Sequence, residues 1–215
     1  MGERYPGYDV LNKRHTPSWN EQTRKVVDER LAIDPERYTF CTEDEWLTLK
    51  AVCSRIVPQP GRRRLQAPLA AMIDRKLQEG VGDGYREARL PPADEAWRRG
   101  LRAFDAEANA RHGCVFHLLL DAERDALLAA VQQGAAHDPA WGDMPPALFF
   151  AKRLLHDIVG AYYSHPVAWN EIGFGGPASP RGYVRLALDR RDPWEAAEAH
   201  SGEEEAARRD NARVG

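Results

Sequence analysis

His112, Cys114 and His117 fall within one short stretch, and imidazole and thiolate are the ligands a soft transition metal accepts. A closed structural site needs four such groups, and no second cysteine or histidine pair follows at the usual spacing. Gly113 reads as a helix stop, and His117 followed by Leu118, Leu119 and Leu120 reads as the edge of a core. His156 and Asp157 have the makings of an oriented general base. On a helix, however, sequence neighbours project about 100° apart and do not face each other. Ser54 and Ser164 lack the G-x-S-x-G elbow that would activate a serine. Gly173-Phe174-Gly175-Gly176-Pro177 has the glycines of a phosphate loop but no Lys-Ser/Thr and no preceding strand, and Pro177 removes a backbone donor. The residues therefore assign no catalytic, cofactor-binding or metal-binding position in this chain.

What the same region does carry is aromatic surface. AYYSHPVAWNEIGFGGP, Ala161 to Pro177, places Tyr, Trp and Phe on a backbone loosened by glycine and stiffened by proline, directly after a helix-like run. Rings on such a backbone make a shaped contact surface rather than a reaction centre. The positions expected to meet a partner are Tyr162, Tyr163, Trp169, Phe174 and Pro177, with Tyr5, Tyr8 and Trp19 near the start. The competing reading is that the rings cap the protein's own core, and two of Tyr162, Tyr163, Trp169 and Phe174 are expected to do so.

The elements that position these residues all read as helices. Ser18-Trp19-Asn20-Glu21 has the form of a capping box, with Val26, Val27 and Leu31 behind it. Thr42-Glu43-Asp44-Glu45 opens a second helix along Trp46, Leu49, Cys53 and Ile56, which Pro58 and Pro60 end. Pro68 suits the first turn of a third, facing inward through Leu69, Met72, Ile73 and Leu77 and stopped by Gly80. Trp97, Leu101, Phe104 and Ala108 form the stripe of a fourth, closed by Gly113. Asp121 is expected to cap a fifth carrying Leu127, Leu128 and Val131, ended by Gly134. Pro145-Pro146 starts the last, with Leu148, Leu155, Ile158, Val159 and Tyr162 on one face. No window alternates with period two, so no strands are expected. The fold class is all-α: a single helical-bundle-like domain of about five to six helices with extended N- and C-terminal arms. Its divisions are an arm over 1–40, the helical domain over 41–188 and a charged tail over 189–215. From Glu195 onward six acids face three arginines, the composition of a solvated tail.

The 215 residues, with 43% hydrophobic and 29% charged side chains, suffice to bury a core. A formal charge of −3 gives no general drive toward nucleic acid or anionic membrane. Arg62-Arg63-Arg64 is the densest basic spot, and three cations after a Pro-Gly break read as a solvated loop. No stretch approaches the roughly 20 apolar residues of a membrane span, and no apolar h-region follows the initial Met. The expectation is a chain without an export signal of its own, periplasmic by co-export with a signal-bearing partner or else cytoplasmic. Cys41, Cys53 and Cys114 show no CxxC spacing. Cys53 reads as a small buried hydrophobe, and a Cys41–Cys53 or Cys53–Cys114 disulfide is compatible with an oxidising compartment.

In order, EDEWLTLKAVCSRIVP, PLAAMIDRKL, WRRGLRAFDAEANARHG with Phe116 close behind, DAERDALLAAVQQG, LFFAKRLLHDIVGAYYSHP and WNEIGFGGP resemble the gluconate 2-dehydrogenase subunit 3 (gamma subunit) family over about residues 40 to 185. The resemblance implies a helical accessory subunit without a cofactor of its own. Its partner would be an FAD-containing catalytic subunit of the glucose–methanol–choline oxidoreductase type that oxidises a sugar, sugar acid or polyol. A cytochrome c subunit would join some such complexes, and the small subunit would support folding, stability or export of the catalytic one. Val167-Ala168-Trp169-Asn170 departs from the Gly-Gly-Asn that many members carry there, and the twin-arginine signal of many members is missing. Two other readings compete: a free-standing helical metal- or redox-dependent enzyme using His112, Cys114, His117 or His156, and a transient assembly chaperone.

Overall fold

The computed structural model describes residues 4–59, 65–80, 82, 84, 87–179, 182 and 195–213. Arg62-Arg63-Arg64 lies outside the described residues. Among those described there are nine α-helices: α1 (Glu21–Leu31), α2 (Glu43–Ile56), α3 (Leu69–Gln78), α4 (Ala93–His112), α5 (Asp121–Gln132), α6 (Pro146–Phe149), α7 (Leu155–Ser164), α8 (Pro166–Ile172) and α9 (Glu204–Asn211). Short 3-10 turns cover Val10–His15, Phe116–Leu118 and Pro139–Trp141. No strand forms among the described residues, only an isolated parallel bridge between Trp19 and Ser179. The fold is all-α, with more helices than the apolar periodicity alone suggests.

Local chemistry explains where these helices begin. Thr42 accepts the Glu45 N–H at 3.3 Å while Glu45 accepts the Thr42 N–H at 3.0 Å, a complete reciprocal cap for α2. The box expected at Ser18 does not form. Asn20 caps α1 instead, its side chain accepting the Thr23 N–H at 2.8 Å, because an Asx oxygen at that place reaches the same orphan donors. Asp121 is the first residue inside α5 rather than its cap, and Glu123 reaches back to the Leu120 N–H at 2.8 Å.

The chain divides into two compact units, one of residues Ile33–Tyr162 and one made of Met1–Ala32 together with Tyr163–Gly215. Within the unit formed by Met1–Ala32 and Tyr163–Gly215, Tyr8, Val10, Trp19 and Val27 bury one another with Trp169, and Ala196 packs against them.

In the Ile33–Tyr162 unit α4 is the hub, its buried face running through Trp97, Leu101, Phe104 and Ala108. A file of rings crosses it. Trp97 meets Phe149 at 5.7 Å, Phe149 meets Trp141 at 5.8 Å, Trp141 meets Phe104 at 5.9 Å, and Phe104 meets Phe116 at 5.2 Å between centroids. Gly100 makes room for this file: a Cβ there would lie 2.3 Å from Phe149 Cζ. Two buried carboxylates pin the helices. Asp74 of α3 accepts the N–H groups of Thr39, Phe40 and Cys41 at 2.7, 3.1 and 2.8 Å, fixing the entry to α2. Asp157 of α7 accepts from Trp97 Nε1 at 2.7 Å and Lys76 Nζ at 3.2 Å.

The last long helix differs from its sequence reading in one respect. Phe150–Leu154 is a π-helical turn joining α6 to α7. The extra residue in that turn re-aims the side chains, so Phe149, Phe150 and Leu154 are buried where Leu148 and Leu155 were expected.

Candidate functional site

The aromatic segment belongs to the unit formed by the two chain ends, and α8 is its frame. Pro166 occupies the first turn, where its missing N–H costs nothing, and His165 caps the helix by accepting the Val167 N–H on Nδ1 at 3.3 Å. Trp169 is buried and donates Nε1–H to the Tyr163 carbonyl at 2.7 Å, tying α8 back to the end of α7. Phe174 meets the Trp169 ring edge-on at 5.9 Å.

Residues near the start of the chain then cover this frame. Tyr8, Val10, Trp19, Val27 and Trp169 form one buried cluster, with Tyr5, Leu11, Leu31 and Ala196 packed against it. The turn after α8 requires glycine for two reasons at once. Gly173 and Gly176 have φ of +67° and +69°, and a Cβ would lie 2.6 Å from the Tyr5 ring at Gly173 and 3.0 Å from Val10 at Gly176. Polar contacts complete the grip: Asn170 accepts the Val10 N–H at 2.8 Å and donates to Asp9 at 3.2 Å, while Lys13 donates to the Gly175 carbonyl at 3.1 Å.

These placements sort the eight expected contact residues. Tyr8, Trp19, Tyr162 and Trp169 are buried within the chain rather than open to a partner, Tyr162 and Trp169 being two of the four later rings, the number expected to cap the core. Tyr8, Trp19 and Trp169 are buried because they pack on one another. Tyr5 and Pro177 are half-buried. Tyr163 at 49% exposure and Phe174 at 38% present their rings to solvent. They are joined by a residue the ring-based reading overlooked, Ile172, which is 46% exposed. Its only sequence signal is an apolar residue three positions beyond the tryptophan on a short helix. Tyr163 and Phe174 are each in contact with the buried Trp169, the one through its carbonyl and the other through its ring.

The residues weighed for chemistry are not brought together. His112 Nδ1 lies 3.4 Å from Glu123 Oε1 at an exposed position, Cys114 is half-buried, and His117 is on the following 3-10 turn. Among the described residues no group of three or more His, Cys, Asp and Glu side chains is disposed to hold a metal ion. All three cysteines are free thiols, so neither disulfide is present, and burial raises the pKa values of Cys41 and Cys53. His156 is exposed whereas Asp157 is buried in its own ion pairs, the divergence that helical geometry demands. Ser54 spends its hydroxyl on the Ala51 carbonyl at 2.7 Å. The Gly173–Pro177 turn presents carbonyls to donors, Gly175 to Lys13 and Phe174 to the Tyr8 hydroxyl at 3.4 Å, whereas a phosphate cradle presents N–H groups.

One titratable group within the frame is strongly perturbed. Burial, aided by the Arg30 guanidinium, pulls the His165 imidazole down from 6.5 to about 4. Arg30 itself donates to the Ser164 carbonyl at 2.8 Å. A neutral ring is what the cap requires, since Nδ1 must keep its lone pair for the Val167 N–H. The arrangement keeps Trp169 and His165 buried while Tyr163, Ile172 and Phe174 stay exposed.

The family model described as gluconate 2-dehydrogenase subunit 3 matches residues 43–176. That range takes in α2 to α8 and most of the turn after α8. Comparisons with curated proteins and with solved structures gave no match. Among the described residues no helix is long and apolar enough to cross a membrane.

Proposed function

The chain belongs to the gluconate 2-dehydrogenase subunit 3 family, and on that premise we propose that it is a non-catalytic small subunit of a dehydrogenase complex. The family match carries this reading. The partner is an FAD-containing catalytic subunit of the glucose–methanol–choline type, which oxidises a sugar, sugar acid or polyol by hydride transfer to its flavin. This chain holds no cofactor of its own in that reading, and its role is to support the folding, stability or export of the catalytic subunit. A cytochrome c subunit completes the electron path in this scheme.

The apolar edge of Tyr163, Ile172 and Phe174 is the part of the chain we assign to docking. Aromatic side chains on a pre-set backbone lose little entropy when a partner covers them. The test is co-expression with a candidate FAD-dependent dehydrogenase, followed by size-exclusion chromatography with detection of flavin absorbance. The wild-type chain is expected to co-elute with flavin. Tyr163→Ala/Phe174→Ala is expected to lose co-elution while keeping its helical circular dichroism. Trp169→Ala removes a buried ring and is expected to cost about 3–5 kcal/mol of stability. A chain that stays apart from the flavoprotein, or that oxidises a sugar acid or polyol alone, overturns the proposal.

A further inference from the structure

We propose that the C-terminal segment 195–213 is a latch that keeps the N-terminal strap, residues 4–19, closed over α8 and the Gly173–Pro177 turn. This inference does not depend on the identity of any partner. Nearly all of the covering residues lie outside the family-matched range 43–176: the strap before it and the latch after it. What the strap covers, Trp169 and the two glycines, lies within that range. Two pieces outside the matched range therefore close over a segment within it.

The strap is held from two sides. On its inner side, Tyr5 lies on Gly173, Val10 and Trp19 lie on Gly176, and Asp9, Val10 and Lys13 make the polar contacts described above. On the other side, the latch grips its first residues. Asn211, fully buried at the end of α9, accepts the Ala197 N–H at 2.6 Å and donates to the carbonyls of both Ala197 and Pro6 at 3.0 Å. One side chain thus ties the helix, the segment before it and the strap. The Ala199 N–H donates to the Arg4 carbonyl at 2.8 Å, and Arg4 pairs with Glu198 at 2.7 Å. The Arg208 Cγ packs where a Cβ on Gly7 would stand, 3.2 Å away.

Asn211 is the most informative of these contacts, because it is a buried amide rather than a screened surface charge. Losing it strands the Ala197 N–H and the carbonyls of Ala197 and Pro6 in a place without solvent. The surface pair Arg4–Glu198 adds little by comparison. Apart from the single bridge of Trp19 to Ser179, the strap has one 3-10 turn of its own, so its closure depends on contacts supplied from elsewhere. Opening it would uncover Trp169, Val10 and Trp19 together. The latch and strap must then open as one cooperative unit.

Native-state hydrogen exchange on the full chain tests this. In the wild type, the Val10 amide of the strap and the Ala197 and Ala199 amides of the latch are expected to exchange with a common opening equilibrium, separate from that of α2 to α5. In Asn211→Ala, Val10, Asn12 and Thr16 are expected to exchange about tenfold faster or more, while amides of α4 keep their protection. Faster exchange confined to residues 197–211, with the strap unchanged, overturns the proposal. If the variant loses helical structure throughout, the wild-type profile decides, and clearly unequal opening of strap and latch then overturns it.

Discussion

Gly100→Ala sets two well-characterised effects against each other. Alanine is the better helix former in the interior of a helix by about 1 kcal/mol, so at an open position of α4 the change would stabilise. Here the new Cβ would lie 2.3, 2.6 and 2.9 Å from three atoms of the Phe149 ring. Ordinary contact begins at 3.4 Å, so the ring or the helix must retreat by about 1 Å (3.4 minus 2.3). Phe149 is fully buried between Trp97 and Trp141, with centroids 5.7 and 5.8 Å away, and cannot swing into solvent to make room. Overpacking of this kind costs about 1–3 kcal/mol, and close-packed neighbours place this site toward the upper part of that range. The propensity gain offsets only part of it. The expected net change is a destabilisation of about 1–2 kcal/mol, seen as a lower urea midpoint at unchanged slope. The double variant with Phe149→Leu should be more stable than the sum of the two single changes by about 1 kcal/mol, because the smaller side chain relieves the clash. A Gly100→Ala protein that gains the full propensity increment, with effects simply additive with Phe149→Leu, would show that α4 and the ring file do not meet as described.

Asp74→Asn replaces one acceptor oxygen by an NH2 group that faces the N–H donors of residues 39–41, and it should cost about 2–3 kcal/mol in urea unfolding, with lost protection at the start of α2. A shift under about 0.5 kcal/mol would show that this carboxylate does not anchor the turn. His165 gives a pH dependence of definite sign. Its folded pKa, about 4, lies below the ordinary 6.5, so the unfolded chain binds a proton over that interval and the folded chain does not. Its contribution is complete above pH 6.5 and is lost as pH falls toward 4, with a slope of at most about 1.4 kcal/mol per pH unit. His165→Asn keeps a capping side chain and should flatten the acid limb of the stability curve. Parallel limbs for the two proteins between pH 6.5 and 4 would exclude a neutral buried imidazole.

The parts of this fold that were legible in sequence are those whose signal is local. Thr42 and Glu45 announce α2, and the stripe Trp97, Leu101, Phe104 and Ala108 announces α4, because a cap and a helical face are written within a few turns of chain. The π turn at Phe150–Leu154 leaves no such mark. A pattern with one extra residue reads as a slightly irregular helix, and Leu155 appears inward when it faces out. Asp74, Asp157 and Asn211 were not identifiable either, since their partners lie far along the chain and a carboxylate or amide on an amphipathic helix looks like any solvated residue. The chain ends show the same limit in a form that bears on function. Tyr5, Tyr8, Val10 and Trp19 follow no single period, and sparse large side chains without a period resemble an arm waiting for a partner. They pack instead on one another, on Val27 and on Trp169, a residue far along the chain that no local pattern links to them. The same burial decides which of the rings stay open to solvent: with Trp169 covered, Tyr163 and Phe174 remain exposed, the one bonded through its carbonyl to that buried indole and the other in ring contact with it.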